Sequence, residues 1–562
     1  MIKIKTEISK KLSELIPNFE GDFLSLLETP ADKKMGDIAL PCFKLSKQLR
    51  EPPFRIAERL VSQIKVDGVS QIEAVNGYLN FFVDPSYNSV LLKEILQKGE
   101  DYGKSNIGEG KRMIIDYSSP NIAKRFHIGH LGTTIIGNSI KKIHKFCGYD
   151  CVGINYIGDW GTQYGKLVVS FKRWGNEKDI LEKGIEELDR LYVLFGKESE
   201  SDPSLIDAAR EEFANLEKGD EENLRLWRIF KQISLDEYMK TYDLLGISFE
   251  SFNGESFYSD KMQPVVDALR EKGLSKLDNG ATIVDLEEYK MPPLMVLKTD
   301  GSTFYATRDL AAAIWRQNEY KFDKSIYVTS AGQSLHFAQF FKVLELMGYD
   351  WTDKLVHVPY GTFSINGEKI ASRTGNVVLI DDLFKDAIDK AYTIIDQKNS
   401  ELDNKREIAE AVGVGAVIFN SLLSNRIKDV SFNWNDALSF EGNTGPYVQY
   451  TYARTCSVIE KSGESNINVP DGFVPGDEET SLIKVLLEFP KKVLDALNGY
   501  EPSVLTRYSL DVCAAFNVFY HNCNILKSEG EVKQFRLALT QATKNILGNT
   551  IELIGLRKTE KI

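Results

Sequence analysis

The chain has 562 residues, of which 43% are hydrophobic and 27% are charged, and this length and composition predict a globular protein with three or more domains. Its formal net charge of −12 argues against a generic nucleic-acid-binding protein, although the acidic stretches 175–223 and 464–479 leave room for a locally basic face elsewhere. No apolar run reaches membrane-spanning length, so we expect a cytoplasmic protein without membrane contact.

Residues 1–107 are predicted to form a first domain that mixes helices and strands. The N-terminal sequence MIKIKTEISKKLSELIPNF predicts an amphipathic helix. It lacks the continuous apolar core of a signal peptide. GYLNFFV at 77–83 predicts a strand, and GKSNIGEG at 103–110 predicts a linker. We therefore place a domain boundary near residue 107.

The most informative stretch follows directly, where an apolar strand turns into a helix. RMIIDY at 112–117 predicts a buried parallel strand, and apolar residues recur at helical spacing from Ile128 until Gly148. CVGINYI at 151–157 predicts the next strand, which completes a βαβ unit. The polar turn SSPNIAKRFHIGH, residues 118–130, then lies at the carboxyl end of the first strand, where open α/β sheets bind ligands.

Two histidines flank a glycine at the end of this turn. A helix N-terminus offers unpaired N–H groups and a partial positive charge, and it therefore suits a phosphate. His127 and His130 are three residues apart and share a helix face, so both imidazoles, which we expect to be cationic, can reach one anionic group. Gly129 lets a nucleotide approach the backbone closely. The alternative is two histidines on a helix surface beside an ordinary glycine.

The remaining chain divides into a second half of the sheet and a helical region. A charged, mostly helical insertion is predicted near 172–255, inside a domain that runs from 108 to about 382. SIYVTSA at 325–331 and the segment 354–363 predict two further strands on either side of a helix. From about 383 to 562 the apolar spacing is helical almost throughout, which predicts an all-α bundle.

The turn SSPNIAKRFHIGH resembles the HIGH signature of class I aminoacyl-tRNA synthetases, and its first half resembles the arginyl-tRNA synthetase family in particular. Further blocks similar to that family follow in its order, namely NYIGDWGTQYG, FYATRDLAAA, QSLHFAQFF and EGNTGPYVQYTYAR. Together they cover the chain from about residue 30 almost to its end. The resemblance implies a Rossmann-like parallel-sheet catalytic domain with a helical insertion, an N-terminal α/β domain that contacts the tRNA elbow, and a C-terminal helical bundle that binds the anticodon.

The resemblance also implies a two-step ligase reaction. ATP, with Mg²⁺, activates L-arginine to arginyl-adenylate and pyrophosphate, and the arginine is then transferred to the 3′-terminal adenosine of tRNA(Arg). Neither step needs a covalent enzyme intermediate, so catalysis depends on positioning and on stabilising the phosphate charge. The family expectation for the oligomeric state is a monomer.

The arginine side chain is the part of the substrate that the sequence addresses best. Tyr305 and Asp309 are four residues apart on a predicted helix, and a carboxylate matches a guanidinium in bidentate geometry. The alternative is that Asp309 forms a surface ion pair with Arg308 or Arg316. The residues that the resemblance implies for arginine binding are Asp116, Ser119, Asn121, His130, Tyr305, Asp309 and Gln333.

The ATP-binding and catalytic residues follow from two signatures. The segment 367–376, GEKIASRTGN, aligns with the second, KMSKS-type signature, but Ser372 stands in place of its second lysine, and Lys124 is the cation expected to compensate. The alternative for this segment is an ordinary exposed β-hairpin. The residues implied for ATP binding are His127, Gly129, His130, His336 and Lys369. The residues implied for catalysis are Lys124, His127, His130, Lys369 and Arg373.

Contacts with tRNA are implied for Asn80, Tyr447, Gln449 and Arg454. Asn80 lies in the NFF context of the predicted strand, and a buried asparagine at a strand end is the equal alternative. The six cysteines include no CxxC pair, so we expect no metal site formed by the protein itself.

Two other classes of protein remain open. The altered second signature, and Gly132 where the family frequently has an arginine, favour a non-catalytic tRNA-binding relative. A small-acid nucleotidyltransferase can share the HxGH turn, but it has no need of the C-terminal helical bundle. Exchange of pyrophosphate into ATP with arginine, with and without tRNA, discriminates these classes.

Overall fold

The computed structural model describes residues 2–365, 368–369, 379–433 and 437–562. In chain order the strands are β1 Ile38–Pro41, β2 Val69–Val75, β3 Tyr78–Val83, β4 Arg112–Asp116, β5 Asp150–Ile154, β6 Ser275–Asp278, β7 Ala281–Val284, β8 Leu294–Leu297, β9 Lys324–Ser330, β10 Leu355–Tyr360, β11 Phe363–Ile365, β12 Glu368–Lys369 and β13 Val430–Phe432. The α-helices are α1 Ile2–Leu15, α2 Phe23–Leu26, α3 Phe43–Leu49, α4 Pro53–Gln63, α5 Tyr87–Lys98, α6 Leu131–Phe146, α7 Thr162–Trp174, α8 Glu177–Lys183, α9 Ile185–Ser201, α10 Ser204–Glu217, α11 Glu221–Leu245, α12 Met262–Glu271, α13 Tyr305–Tyr320, α14 Ser334–Leu346, α15 Ile380–Lys398, α16 Lys405–Leu423, α17 Gly445–Ser462, α18 Asp477–Leu486, α19 Phe489–Gly499, α20 Ser503–Asn522 and α21 Gly530–Leu553.

The N-terminal part packs helices against an antiparallel sheet in the order β1-β3-β2. Asn76 and Gly77, with φ of 50° and 81°, form the tight turn between β2 and β3, which requires left-handed backbone. Ile8 and Leu12 of α1 are buried in one apolar cluster with Phe81 of β3. The amphipathic N-terminal helix and the strand predicted near residues 77–83 are therefore both present, and they share one core.

A parallel sheet in the order β10-β9-β4-β5 forms the centre of the molecule. Ile114 of β4 and Ile326 of β9 are almost fully buried, as expected for parallel strands that are covered on both faces. β4 lies between β5 and β9. The chain passes from β4 to β5 on one side, and it later crosses back to β9 on the other side, so the strand order reverses between β4 and β9. Such a switch point opens a crevice beyond the carboxyl ends of the strands, here beyond Asp116 and Ser330.

Helix α6 begins beside this crevice. A 3₁₀ turn over Ile128–His130 leads into the helix, which ends at Phe146 and is followed by its capping residue Cys147 and by Gly148, with φ of 87°. Gly137 of α6 passes so close to Tyr117 that an added Cβ would lie 2.3 Å from that side chain. This close approach fixes α6 against β4, and it sets the helix N-terminus at the carboxyl end of the strand.

The charged segment predicted as an insertion is a helical excursion between β5 and the small antiparallel sheet β6-β7-β8. Helices α8 to α11 lie in it, and residues such as Leu188, Leu191 and Phe230 are buried in one apolar cluster with Ile122 and Ile157, which flank the site. The 25-residue helix α11 returns to the sheet, where Tyr238 and Tyr242 join the central core.

Helices α15 to α21 form the predicted C-terminal bundle, whose core is continuous with that of the central sheet. β13 is an exception to the all-helical prediction, because Val430 pairs in parallel with Phe363 of β11. The strand predicted over 354–363 is divided into β10 and β11. The chain leaves the sheet at Gly361, where an added Cβ would lie 2.5 Å from the Lys428 backbone.

The predicted class, a parallel α/β sheet with a helical insertion and a helical bundle, is confirmed. Among the helices of the described ranges, none is both long enough and apolar enough to cross a lipid bilayer.

Candidate active site

A cavity of about 940 Å³ opens at the switch point of the central sheet. The predicted arginine-binding residues that line it are Asp116, Ser119, Asn121, His130, Tyr305, Asp309 and Gln333. The predicted nucleotide-binding residues that line it are His127, Gly129, His130 and His336. The fold therefore brings the first signature, the FYATRD block and the QSLHF block together around one space.

The rings of the two signature histidines lie against each other at the start of α6, with centroids 3.9 Å apart and planes tilted by 31°. His127 Nδ1 accepts a hydrogen bond from the Gly129 N–H at 3.1 Å, and the His127 N–H donates to His130 Nδ1 at 3.3 Å. A backbone N–H can only donate, so each Nδ1 is an acceptor and each neutral ring carries its proton on Nε2. Each imidazole is therefore left with an Nε2–H donor for a ligand.

Both histidines are neutral near pH 7, and the expectation of cationic imidazoles is wrong. Burial lowers the pKa of His130 to about 3, and the neighbouring His127 and Lys124 add to this effect. Burial also lowers the pKa of His127, with a further contribution from the charge of Lys124. The pair therefore offers hydrogen bonds to an anionic ligand, and the positive charge for the phosphates has to come from other groups.

Two glycines of this region have packing roles that the sequence did not reveal. A Cβ at Gly129 would lie 2.8 Å from the His127 ring, so the glycine makes room for the imidazole that caps the turn. At Gly132 a Cβ would lie 2.5 Å from Phe363 and 2.8 Å from Tyr360. An arginine at position 132 has no room here, and Gly132 allows α6 to pack against β10 and β11.

The turn that carries Ser119 and Asn121 has an unusual backbone. Ser118, Ser119 and Ala123 have φ of 75°, 50° and 61°. This left-handed region costs a non-glycine residue on the order of 1–3 kcal/mol. The Ser119 hydroxyl donates to Asp116 Oδ1 at 3.0 Å, which ties the turn to the end of β4. A conformation of this cost persists only where the surrounding structure holds it, and such positions cluster at functional sites.

The carboxylate predicted to receive a guanidinium lies on α13. Asp309 follows Tyr305 by one helical turn, and Tyr305 is 50% exposed. His336 Nε2 donates to Asp309 Oδ2 at 2.7 Å, and the His336 ring lies 5.0 Å from the Tyr305 ring. His336 lies in the first turn of α14, which begins directly after Gln333. The structure thus places His336, which was predicted to bind ATP, against the carboxylate that was predicted to bind arginine.

Asp309 forms neither of the ion pairs considered as alternatives among the residues that the structure describes. Arg308 pairs with another acid, and Arg316 Nη1 lies 2.7 Å from Asp116 Oδ2. Arg316 is 1% exposed, and its charge compensates that of Asp116. Asp116 therefore faces the cavity as a carboxylate that is already paired with Arg316 and that accepts a hydrogen bond from Ser119.

Glu255 is a cavity residue that sequence reasoning missed. Arg308 Nη1 lies 2.9 Å from its Oε2. Burial raises the pKa of Glu255 to about 7, and the charges of Asp309 and Asp159 add to the rise against the opposing charge of Arg308. A second acid therefore shares the space with Asp309, and a cation bound there favours its ionised form. No motif marks Glu255, because it lies at the end of the charged insertion as one acid among many.

The cations predicted for the phosphates do not line the cavity within the described chain. Lys124 Nζ lies 5.0 Å from the centre of the Tyr192 ring, on the helical insertion. Arg373 and the side chain of Lys369 lie outside the described residues. The backbone of β12 pairs with β11 in antiparallel fashion, as the hairpin alternative expects. The chemical role of the second signature stays a prediction.

Of the predicted tRNA contacts, Tyr447 and Arg454 are partly exposed on α17, and both bond to Asn517, at 2.8 Å and 2.6 Å. The predicted contact through Gln449 is wrong for this structure. Its side chain is 0% exposed, and its Nε2 donates to two backbone carbonyls at 3.1 and 2.9 Å. Asn80 is 1% exposed, as the buried alternative expects, yet its amide atoms have no hydrogen-bond partner in the described parts of the chain.

A parallel sheet with a cavity at its switch point and two adjacent histidines at a helix start fit the class I aminoacyl-tRNA synthetases. The sequence model of the class I (R) tRNA synthetase catalytic domain matches residues 91–434, that of the arginyl-tRNA synthetase N-terminal domain matches 3–83, and that of the DALR anticodon-binding domain matches 448–562. The chain belongs to the arginyl-tRNA synthetase family.

Individual relatives match along the whole chain. The proteins named arginine–tRNA ligase from Alkaliphilus metalliredigens and Clostridium acetobutylicum are each 46% identical to it, over 99% of this chain and 100% of theirs. The structure of Thermus thermophilus arginyl-tRNA synthetase superposes with a TM-score of 0.84 at 26% identity, covering 100% of this chain and 99% of that one. The Plasmodium falciparum arginyl-tRNA synthetase superposes with a TM-score of 0.80 at 27% identity, covering 100% and 98%.

Proposed function

We propose that this chain is an arginine–tRNA ligase, which activates L-arginine with ATP and transfers the arginine to tRNA(Arg). The observation that carries the proposal is the single cavity in which Asp309, Tyr305 and Gln333 meet the pair His127 and His130. Groups for a cationic side chain and groups for phosphates share one space, as attack of an amino-acid carboxylate on ATP requires. The full-length similarity to ligases favours this function over a non-catalytic relative and over a small-acid nucleotidyltransferase.

The substrate guanidinium is proposed to bind at Asp309, with Glu255 as the second acid. His336 donates to Oδ2 of Asp309, so Oδ1 stays available to accept a hydrogen bond from the substrate. The planar fork of a guanidinium donates to a carboxylate through two N–H groups, and the Tyr305 hydroxyl and the Gln333 amide oxygen can accept the others. With the guanidinium in place, Glu255 faces a further positive charge and stays ionised at neutral pH.

ATP is proposed to bind as its Mg²⁺ complex beside the start of α6. The Nε2–H groups of His127 and His130 donate to the phosphates, together with the helix N-terminus. Ser119 and Asn121 hold the main-chain groups of arginine, whose carboxylate attacks the α-phosphorus and displaces pyrophosphate. Because both imidazoles are neutral, Lys124 is proposed to supply charge in this step, by turning from the helical insertion towards the phosphates.

Further assignments belong to the same proposal. Lys369 and Arg373 are proposed to reach the pyrophosphate, and Tyr447 and Arg454 to contact the tRNA. The 2′-hydroxyl of the terminal tRNA adenosine then attacks the adenylate, again without a covalent bond to the enzyme. Substitution of Arg454 by alanine tests its contact, since it should weaken tRNA binding and leave binding of arginine unchanged.

We also propose the division into 1–107, 108–382 and 383–562, with the first and last parts contacting the tRNA elbow and the anticodon. The protein is proposed to act as a monomer in the cytoplasm. Sedimentation equilibrium with and without tRNA tests the monomer, and a stable dimer in either condition would contradict it.

Pyrophosphate exchange into ATP, followed by arginylation of a tRNA(Arg) transcript, tests the proposed function. We expect arginine-dependent exchange when the transcript is present, and arginylation of the transcript. Tight tRNA binding without exchange would favour the non-catalytic relative. Exchange driven by another small acid and indifferent to tRNA would favour the nucleotidyltransferase.

A further inference from the structure

One face of α11 holds the turn that carries Ser119 and Asn121. Ser234, Tyr238 and Tyr242 follow one another at four-residue intervals on this helix, so they project from the same side. All three side chains are buried. They belong to the helical insertion, and their partners in the turn are 111 to 124 residues away along the chain.

Two of these side chains bind the backbone at the far end of the turn. Ser234 Oγ accepts the N–H of Ala123 at 2.8 Å. The Tyr238 hydroxyl lies 2.6 Å from the Asn121 carbonyl oxygen and 2.8 Å from that of Lys124, and it shares its one proton between the two oxygens. Tyr238 therefore fixes the peptide group of Asn121 itself.

Tyr242 holds the near end of the turn. Its hydroxyl accepts a hydrogen bond from Asn155 Nδ2 at 2.8 Å, so its own proton is available for Ser118 Oγ, which lies 2.7 Å away. Asn155 Oδ1 in turn accepts the Ser119 N–H at 3.2 Å. The helix thus reaches Ser118 directly and Ser119 through Asn155.

These contacts fall on the residues whose backbone is strained. Ser118, Ser119 and Ala123 are the positive-φ residues of the turn, and each is bonded to α11 directly or through Asn155. A sparsely populated backbone conformation persists only where its surroundings over-determine it. The hydroxyls of α11 contribute to that determination, since they bind the Ala123 N–H and the carbonyls of Asn121 and Lys124 in this one conformation. Other elements complete it, because Thr133 Oγ1 accepts the Ser118 N–H and the Gly158 carbonyl accepts the Ile122 N–H.

We propose that Ser234, Tyr238 and Tyr242 are positioning residues, which hold the turn so that Ser119 and Asn121 face the main-chain groups of the substrate. The inference rests on the proposed function for the identity of that substrate. The helical insertion is then a working part of the active site as well as a solvated excursion from the sheet.

A merely structural role for the same hydroxyls makes a different prediction. Loss of a buried hydrogen bond would then lower the stability of the protein, and activity would fall only with the folded fraction. Tyr508 provides a matched comparison, because its buried hydroxyl donates to the Val485 carbonyl at 3.0 Å in the helical bundle, away from the cavity.

The first test compares Tyr238→Phe with Tyr508→Phe in arginine-dependent pyrophosphate exchange with tRNA present, after thermal melting has shown both to be folded. In Tyr238→Phe we expect kcat to fall by about tenfold to a hundredfold while KM for ATP stays within about twofold. Tyr508→Phe should keep the wild-type kcat. Equal loss of kcat in the two variants would overturn the proposal.

The second test reads the turn without using activity. Ser234→Ala removes the acceptor of the Ala123 N–H, so hydrogen exchange of a peptide spanning the turn should become faster, and Ser234→Thr should restore the slow rate. Hydrogen exchange at the wild-type rate in Ser234→Ala would overturn the role of α11. If the wild-type chain does not activate arginine, the proposed function is wrong. The hydrogen-exchange measurement still decides in that case whether α11 holds the turn.

Discussion

Replacing Asp309 by asparagine tests the charge that is proposed to hold the substrate side chain. The substitution keeps the size of the side chain and an oxygen for His336 Nε2, and it removes the negative charge. The Asp309 side chain is 25% exposed, so an ion pair with the guanidinium is largely but not fully desolvated. Truncating one partner of such a pair costs about 2–5 kcal/mol, and the partial exposure favours the lower half of this range. At about 1.4 kcal/mol per factor of ten, kcat/KM for arginine should fall by roughly 30-fold to several hundredfold.

Pyrophosphate exchange at varied arginine and saturating ATP measures this effect. KM for ATP should stay within about threefold, since the nucleotide contacts are unchanged. Glu319→Gln is the matched control, because Glu319 is exposed on the same helix and its loss also removes one negative charge. Citrulline, the uncharged analogue of arginine, gives a second readout, and the preference for arginine over citrulline should shrink in Asp309→Asn.

Two results would refute the reasoning. One is a kcat/KM for arginine in Asp309→Asn that lies within about threefold of the value in Glu319→Gln. The other is an unchanged preference for arginine over citrulline, which would show that the positive charge of the substrate is recognised elsewhere.

Protonation and phosphate charge give three more tests. Lowering the pH below about 7 should lower kcat/KM for arginine, because the pKa of Glu255 is raised to about 7 and the protonated acid no longer attracts a guanidinium. Glu255→Gln should flatten that part of the pH profile, and an unaltered profile would contradict the assignment. Lys124→Ala should lower kcat for activation more than it raises KM for arginine, and equal effects on both would exclude a role for this amine at the phosphates. Burial lowers the pKa of His144 from 6.5 to about 4, so the unfolded chain takes up a proton below pH 6.5 that the folded chain refuses, and this residue's contribution to stability is lost as the pH falls from 6.5 towards 4. Urea unfolding should show a loss between pH 7 and pH 4 that is about 3 kcal/mol larger in the wild type than in His144→Gln, and parallel pH dependences would contradict it.

The sequence located the elements next to the site because their patterns are local. RMIIDY corresponds to β4, and SIYVTSA corresponds to β9, since parallel strands buried on both faces appear as continuous apolar runs. Helix α6 starts where the apolar spacing changes to the helical period after the polar turn. His127 and Asp309, which line the cavity, were predicted because they lie in short local motifs, the turn SSPNIAKRFHIGH and the FYATRD block.

Features that depend on distant partners were not accessible from the sequence. Glu255 lacks a local signature, and its raised pKa comes from burial and from charges on other elements. The neutral state of His130 likewise comes from burial. Gln449 lies in a family block, but its burial depends on α16 and the C-terminal segment, whose backbone carbonyls it binds. β13 could not be predicted, because a three-residue strand carries little pattern and exists only by pairing with β11.

A crystal structure with a non-hydrolysable analogue of arginyl-adenylate would test most directly whether one cavity joins the amino acid to the nucleotide. Our account predicts guanidinium nitrogens at about 3 Å from the Asp309 carboxylate, with the phosphate surrogate within reach of the Nε2 atoms of His127 and His130. An analogue whose guanidinium points into solvent away from Asp309, or whose phosphate surrogate lies far from both imidazoles, would contradict it.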